Sequence, residues 1–477
     1  MMMTPLIGYA PDADSTTAGV ITDCSNLLPD LQGMSAAPSP MNAGIAPLPQ
    51  ACSGAAVVTR LDAQRRLLAG TRSTLYEWQQ SAWADVVAGG AIESDARWSL
   101  AQYGNTTLAT NGATKLLQSD GGAFAPVASA PVAKVVFTVG AFVMALNTSE
   151  AQDQWHCCAA YDAGNWVTSI DTQCAKGRLV ATNGALTAGA RLGEYAIAYK
   201  AKSMYIGQYV GAPAVWQWAQ VAGGDAGCVG QDALCDIGGA HFFVGESGLF
   251  LFDGTRPVPV ADGQVRQWFF DTSSPQYRHQ TQCVYDGQND RVFVFFPSKG
   301  SSENDMGLVW HVKSKRWGRC DMRVQAALNY IESGITYDTL DKAGASYDAL
   351  PLVVYDSQFW LADGKALAVF NQAHQLQTLT GAAGESSLTT GDYGDDAALS
   401  RLKRLRVRYL QAPDAAQAQV FAKRNSGEMP KTGKAGQMRD GKFDVMQTAR
   451  WHSARFTFQG DVRVSAMGAD FVPAGIR

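Results

Sequence analysis

The chain has 477 residues, of which 46% are hydrophobic and 17% charged, with 48 glycines and a formal net charge of −4. Length and apolar content together suffice to bury a large core in two or three domains, which excludes a disordered or fibrous chain. A net charge this small excludes a whole-molecule field that would hold nucleic acid or anionic membrane, so any contact with DNA must be local.

The N-terminal stretch is punctuated by Pro5, Pro11, Pro29, Pro38, Pro40, Pro47 and Pro49 among Gly, Ala and Ser, with no sustained period. Prolines this dense do not fit helix interiors or central strands. Residues 1–54 therefore read as an extended arm or belt over other elements, with a disordered tail as the alternative. No Lys or Arg precedes Arg60, so the basic lead of an export signal is not seen. The longest apolar run, Val135 to Leu146, falls short of the ~20 residues of a membrane helix and reads as a buried strand. No membrane insertion by this chain is expected.

From Ala55 a period-2 pattern begins, with Ala55 to Leu61 and Arg66 to Gly70 forming a hairpin about Asp62-Ala63-Gln64. One phrase then recurs: apolar strand, tight turn, second strand ending in an aromatic. It appears at Leu75 to Trp83, Leu116 to Phe124, Ala160 to Trp166, Ser203 to Trp216, Gly248 to Gly254, Leu308 to Trp317 and Phe359 to Gly364. Copies lie roughly 40 to 60 residues apart, the length of a four-stranded propeller blade, and assign residues 55–380 to an all-β propeller. Two segments are the clearest blade material: His241 to Thr255, and Cys283 to Trp317, whose four elements read as one complete blade. Arg266 to Phe270 reads as a single helical turn.

The stretch Gly381 to Tyr393 is rich in Gly, Ser, Thr and Asp and marks a domain boundary. Beyond it, strand patterns at Arg401, Gln417 to Lys423, Trp451 to Phe458 and Val462 to Met467 place a small β-sandwich-like domain at 381–477.

Few residues point to chemistry. The nine cysteines form no CxxC pair, and His156-Cys157-Cys158 lacks a second cluster at ligand spacing, so buried thiols are expected and no metal. Asp253, Asp286 and Asp363 each precede glycine, where Asp serves the turn, whereas a glycosidase needs two placed carboxylates. Gly245-Glu246-Ser247-Gly248 lacks the spacing of a nucleophile elbow, and no glycine pair leads into a phosphate loop. No catalytic residue and no cofactor is expected. Trp155, Trp166, Trp216, Trp218, Trp268, Trp310, Trp317 and Trp360 recur at one phase of the repeat, as packing between blades requires.

The conspicuous charge pattern is Arg401-Leu402-Lys403-Arg404-Leu405-Arg406-Val407-Arg408-Tyr409. On a strand, Arg404, Arg406 and Arg408 share one face, with Leu405, Val407 and Tyr409 on the other. Arg401, Lys403, Arg404, Arg406 and Arg408 are therefore the candidate contacts to DNA phosphates or to a neighbouring subunit. Asp392, Asp395 and Asp396 are possible acidic partners.

Taken in order, the proline-rich arm, the Arg60 to Trp83 opening, the His241 to Phe270 and Val284 to Trp317 phrases and the basic strand resemble the packaged-DNA stabilisation, or tail nozzle, proteins of short-tailed bacteriophages. The resemblance covers most of the chain and rests on layout and on phrases such as Gly-Leu-Phe-Leu-Phe-Asp-Gly-Thr. It implies a six-bladed propeller, a ring of six copies on the portal and adaptor proteins of the connector, and a lumen that retains and then releases packaged double-stranded DNA. It implies docking of tail fibre, spike or plug proteins, assembly in the host cytoplasm, residence in the virion tail, and no enzyme activity. Arm and edge strands would then pair with neighbouring subunits. Seven phrases exceed six blades by one, so either one blade uses two phrases or the Phe359 phrase belongs to the C-terminal domain. A carbohydrate-binding propeller and a glycoside hydrolase are the alternative functions.

Overall fold

The computed structural model describes residues 3–62, 64–79, 81–88, 92–331, 365–425 and 427–475. The protein is a β-propeller joined to a β-sandwich. Six separate four-stranded antiparallel sheets stand free as blades. Five of them run from Gly54–Thr59 to Ala82–Asp85, Ser99–Tyr103 to Ala125–Pro126, Ala133–Val139 to Lys176–Arg178, Leu186–Leu192 to Val215–Gln220, and Leu234–Asp236 to Pro257–Pro259. The sixth comprises Ala326–Ile331, Lys365–Phe370, Leu376–Gly381 and, from the arm, Ser39–Asn42.

A further four-strand meander, Gln282–Asp286, Arg291–Pro297, Asn304–His311 and Trp317–Cys320, fills a sector between the fifth and sixth of these sheets. It does not stand free, because its outermost strand pairs with arm strand Leu27–Pro29 and so merges with the C-terminal domain. The innermost strands touch in chain order, and Ala326–Ile331 returns to Gly54–Thr59 to close the ring. This fused sector holds the Leu308 to Trp317 phrase and accounts for the phrase in excess of six; the Phe359 to Gly364 phrase lies outside the described residues.

Local sequence explains the blades. In the third, Ala133–Val139 and Phe142–Thr148 are almost wholly buried β-branched and apolar runs, joined by a two-residue turn with Gly140 at φ 52°. Two tryptophans lie over cross-strand glycines, Trp155 opposite Gly177 and Trp218 opposite Gly207. A Cβ at Gly207 would sit 2.9 Å from the Trp218 ring, so only glycine lets the indole lie flat there. Across the ring axis, Arg97 Nε pairs with Asp232 and Arg97 Nη1 donates to the Gln325 carbonyl at 3.4 Å. These residues precede the innermost strands of the second, fifth and sixth blades, so they can meet only across the channel, which they bolt at one end.

The arm is ordered and woven into its own chain. Thr4–Pro5 pairs with Ala466–Met467, Gly8–Tyr9 runs parallel to Val20–Ile21, and Val20–Ser25 pairs with Glu385–Thr390. Leu27–Pro29 then meets the fused sector, Met34–Ala36 the strand Arg463–Gly475, and Ser39–Asn42 completes the sixth blade. Each arm strand thus has a partner strand within the chain, and Ser39–Asn42, outermost in the sixth blade, is paired on one side. Arg291, buried in the fused sector, donates from Nε to the Pro29 carbonyl at 2.8 Å and from Nη2 to Ser35 Oγ at 2.9 Å. The Asp12 carboxylate accepts the Trp268 N–H at 2.9 Å, capping the short helix Arg266–Thr272.

The C-terminal domain is two-layered. In one layer Leu399–Gln411 lies between Lys442–Ala449 and Arg463–Gly475; in the other Trp451–Gln459 lies between Ala415–Lys423 and Glu385–Thr390. Leu402, Leu405, Val407, Phe443 and Val445 meet Leu388, Val420, Phe456 and Phe458 between the layers, all under 8% exposed. Sequence reading missed the hairpin Lys431–Arg439 and Lys442–Ala449, whose glycines and lysines break the alternation.

The first two blades are stapled by Arg66, 5% exposed, which forms a fork on Glu77 at 2.7 and 2.8 Å and also donates to Ser119 Oγ at 2.9 Å. Arg66→Met is expected to destabilise by about 3–5 kcal/mol, because it leaves a buried carboxylate without its counter-ion. Adding Glu77→Leu is expected to restore most of the loss, and urea unfolding of the two variants measures both effects.

Candidate anion-binding face

The basic strand lies in the outer layer of the sandwich as Leu399–Gln411. Leu402, Leu405 and Val407 are buried, while Arg401, Lys403, Arg406 and Arg408 are exposed. Leu402 and Leu405, three residues apart, both face inward because the register shifts between Leu402 and Arg404 on both sides of the strand. Beyond that bulge Arg404, Arg406 and Arg408 alternate with Leu405 and Val407.

The five cations are not equivalent. Arg404 donates to Asp444 Oδ1 at 2.6 Å and so spends its charge within the sheet. Arg401 Nε donates to Thr448 Oγ1 at 3.4 Å. Lys403, Arg406 and Arg408 have no ion pair among the described residues. The acids expected as partners are occupied elsewhere: Asp392 accepts from Lys423 Nζ and Ser15 Oγ, both at 2.8 Å. Asp396 accepts Trp451 Nε1 at 2.7 Å, and Asp395 caps the Ala397 N–H at 2.8 Å.

Folding adds two cations from the hairpin. Arg406 stands directly opposite Lys442, and Lys442 directly opposite Arg439, so three positive side chains form one row across three strands. Directly opposed residues of antiparallel strands have Cβ atoms about 5 Å apart, and like charges so placed destabilise the sheet. On its other side Arg406 faces Gly468 and Arg408 faces Ala466, so no acid interrupts the row there. Residues 399–449 hold eleven of the chain's 39 Lys/Arg but only four of its 43 Asp/Glu. A locally basic sheet is thus carried by a chain that is acidic elsewhere. Lys442 and Arg439 were not foreseen because their partners are set by strand register, and no spacing in the sequence announces it.

The other candidates resolve into structure. Asp253 Oδ1 accepts the Thr255 N–H at 3.0 Å, and its hydrogen bonds to Thr255 hold the carboxyl below its ordinary range. Asp286 accepts the Gln288 N–H at 3.1 Å and Asn289 Nδ2 at 2.7 Å; Asp363 lies outside the described residues. Both described acids serve their turns. Among the described residues no group of three or more His, Cys, Asp or Glu is placed to hold a metal ion. Cys157 and Cys158 are fully buried, their thiols pushed up by desolvation to about 11 and about 12, which keeps them protonated. Trp155, Trp166, Trp216, Trp310 and Trp317 are at most 6% exposed and pack between strands, whereas Trp218 and Trp268 are half-buried and Trp360 is outside the described residues.

Fold and face together define a β-propeller with a woven arm and a basic C-terminal sandwich. No protein-family model matches the chain, and no curated protein matches it. Among solved structures it is similar to a computationally designed protein, Ika8, at 9% identity and TM-score 0.41, over 72% of this chain and all of that one. It is similar to YCF48 from Cyanidioschyzon merolae at 12% identity and TM-score 0.36, over 72% of this chain and 99% of that one. PorZ, a surface component of the type-IX secretion system of Porphyromonas gingivalis, aligns at 11% identity and TM-score 0.39 over 86% of this chain and 53% of that one.

Proposed function

We propose that this chain is a structural protein of the tail-nozzle kind found in short-tailed bacteriophages, assembling through its basic sandwich face into a ring. The observation that carries the reading is the cross-strand row Arg439, Lys442 and Arg406, which costs the isolated chain stability and has no ion pair among the described residues. Rule-breaking of this kind is expected where a surface serves a partner. The best-matched partner is a second copy, because the rest of the chain is acidic while this segment is basic. A basic patch meeting a different, acidic patch on the next copy is a heterologous contact, which generates a ring when the rotation between copies closes. Such a ring on the connector would enclose packaged DNA and offer its flanks to tail appendages, and it requires no catalysis.

Arg406→Glu separates function from folding. It turns a like-charged pair with Lys442 into an opposite-charged one, so the isolated chain is expected to gain about 0.2–1 kcal/mol. Assembly, followed by light scattering and negative-stain imaging with portal-bearing particles, is expected to weaken at least tenfold. Rings forming normally from Arg406→Glu, or a parent chain that stays monomeric on those particles, would remove the reading.

A further inference from the structure

A second site is built into the propeller, away from the basic face and independent of the function proposed above. Nine described non-glycine residues have positive φ. Five are Asn, Asp or His, which tolerate that backbone, and a sixth is Lys315. Of the remaining three, Tyr161 at 61° and Gln173 at 57° line one cleft between the third and fourth blades, and Val215 at 62° directly precedes Trp216, which also lines it. A bulky or branched residue in this conformation persists only where its surroundings hold it, and such residues concentrate at ligand sites. The loop is held: Tyr161 N donates to the Ala141 carbonyl at 2.9 Å, and Ala160 N to Thr172 at 2.9 Å.

The cleft encloses about 420 Å³, within the range of small-ligand sites. Its floor is aromatic, with Phe142 and Trp216 packed edge to face at 5.6 Å and Tyr209 against both. Tyr161, 84% exposed, and Tyr209, 45% exposed, leave ring surface open to solvent. Tyr209 OH donates to Gln173 Oε1 at 2.6 Å, which fixes the amide so that its N–H₂ donors remain for a ligand. Glu194 adds a carboxylate to the lining and has no ion pair among the described residues.

We propose that this cleft binds a pyranose unit of a neutral oligosaccharide. The apolar faces of a sugar ring stack on Tyr161 and Tyr209, Gln173 donates to a ring hydroxyl, and Glu194 accepts from another. An organic cation is the lesser match: Phe142 and Trp216 are 3% and 5% exposed and packed against each other, so they cannot wall an open aromatic box. Acidic sugars are disfavoured by the Glu194 carboxylate.

Saturation-transfer NMR on the full chain tests this with cellotetraose, maltotetraose, mannotetraose, chitotetraose, tetragalacturonate and choline as probes. At least one neutral tetrasaccharide is expected to receive saturation, and Gln173→Ala and Tyr161→Gly are each expected to weaken it tenfold or more. Tyr161→Gly removes the ring while suiting the left-handed backbone, so it is expected to melt no earlier than the parent, which separates lost binding from lost folding. No transfer to any neutral tetrasaccharide, transfer that survives the double variant, or binding only of choline or tetragalacturonate would overturn the proposal.

Discussion

Deleting residues 1–42 is expected to abolish cooperative unfolding of both the propeller and the sandwich. Eight arm side chains, Leu6, Tyr9, Val20, Ile21, Cys24, Leu27, Leu28 and Met34, are at most 1% exposed. Their loss also removes the entropy cost of ordering the arm, so the consequence is decided by what they leave uncovered. Strand Glu385–Thr390 would lose Val20–Ser25, and the sixth blade would lose its outermost strand. Arg291, buried beneath the arm, would lose both acceptors it now has there. Burying a Leu, Ile, Val or Met side chain is worth about 1.5–3 kcal/mol, so exposing the faces on which these eight side chains pack outweighs a typical net stability of about 5–15 kcal/mol. Calorimetry and dye binding on the truncated chain measure the outcome. A single sharp transition close to that of the full chain would show that the arm merely decorates the fold. The point variant Ile21→Ala is expected to cost about 2–5 kcal/mol by the same contact.

Stability is expected to be greatest between about pH 6.5 and pH 9 and to fall on both sides. His156, His241, His311 and His452 are buried and held neutral, their pKa values lowered first of all by desolvation. His241 shows why: its ring accepts at Nδ1 from Tyr199 OH at 2.8 Å and donates from Nε2 to the Arg191 carbonyl at 2.8 Å, leaving no place for a second proton. A group whose folded pKa lies below its unfolded value binds fewer protons when folded, so stability drains away as pH falls below the ordinary histidine value of 6.5. His156, lowered to about 4, contributes on the order of 3 kcal/mol across that interval. On the alkaline side the thiols of Cys52, Cys158, Cys174, Cys228 and Cys320, raised by burial to about 12, stay protonated in the fold. They ionise in the unfolded chain above about 9, so stability falls again as pH rises. Urea midpoints from pH 4 to pH 10 would trace this dome; a midpoint unchanged between pH 7 and pH 4.5 would contradict the acid limb.

The propeller was legible because each blade repeats one local phrase, and a repeat can be read without knowing what touches what. His241–Val244 and Leu249–Phe252 fall on either side of Glu246-Ser247-Gly248 as the pattern requires. The arm's destinations were not legible, since Ser39–Asn42 pairs with a strand more than 300 residues away and carries two polar residues and a proline. The basic strand was visible as a run of charges, but its strongest feature was hidden. Which cations stand opposite one another depends on a bulge at Leu402 and on a hairpin whose sequence alternates poorly. The aromatic cleft left no signal either, because Tyr161, Gln173 and Glu194 come from separate turns and Tyr209 from a strand of the next blade.

The weave of the arm also sets a timetable. Residues 20–25 are made long before their partner strand, which begins at Glu385, and Thr4–Pro5 waits for Ala466–Met467. Until those strands have been made, a run of apolar side chains destined for full burial lacks its partners. Long-range pairing of this kind slows folding and prolongs exposure of sticky surface. The arm is thus made early and placed late, and a chain released before its partner strands are made would present that segment to any chaperone or protease at hand.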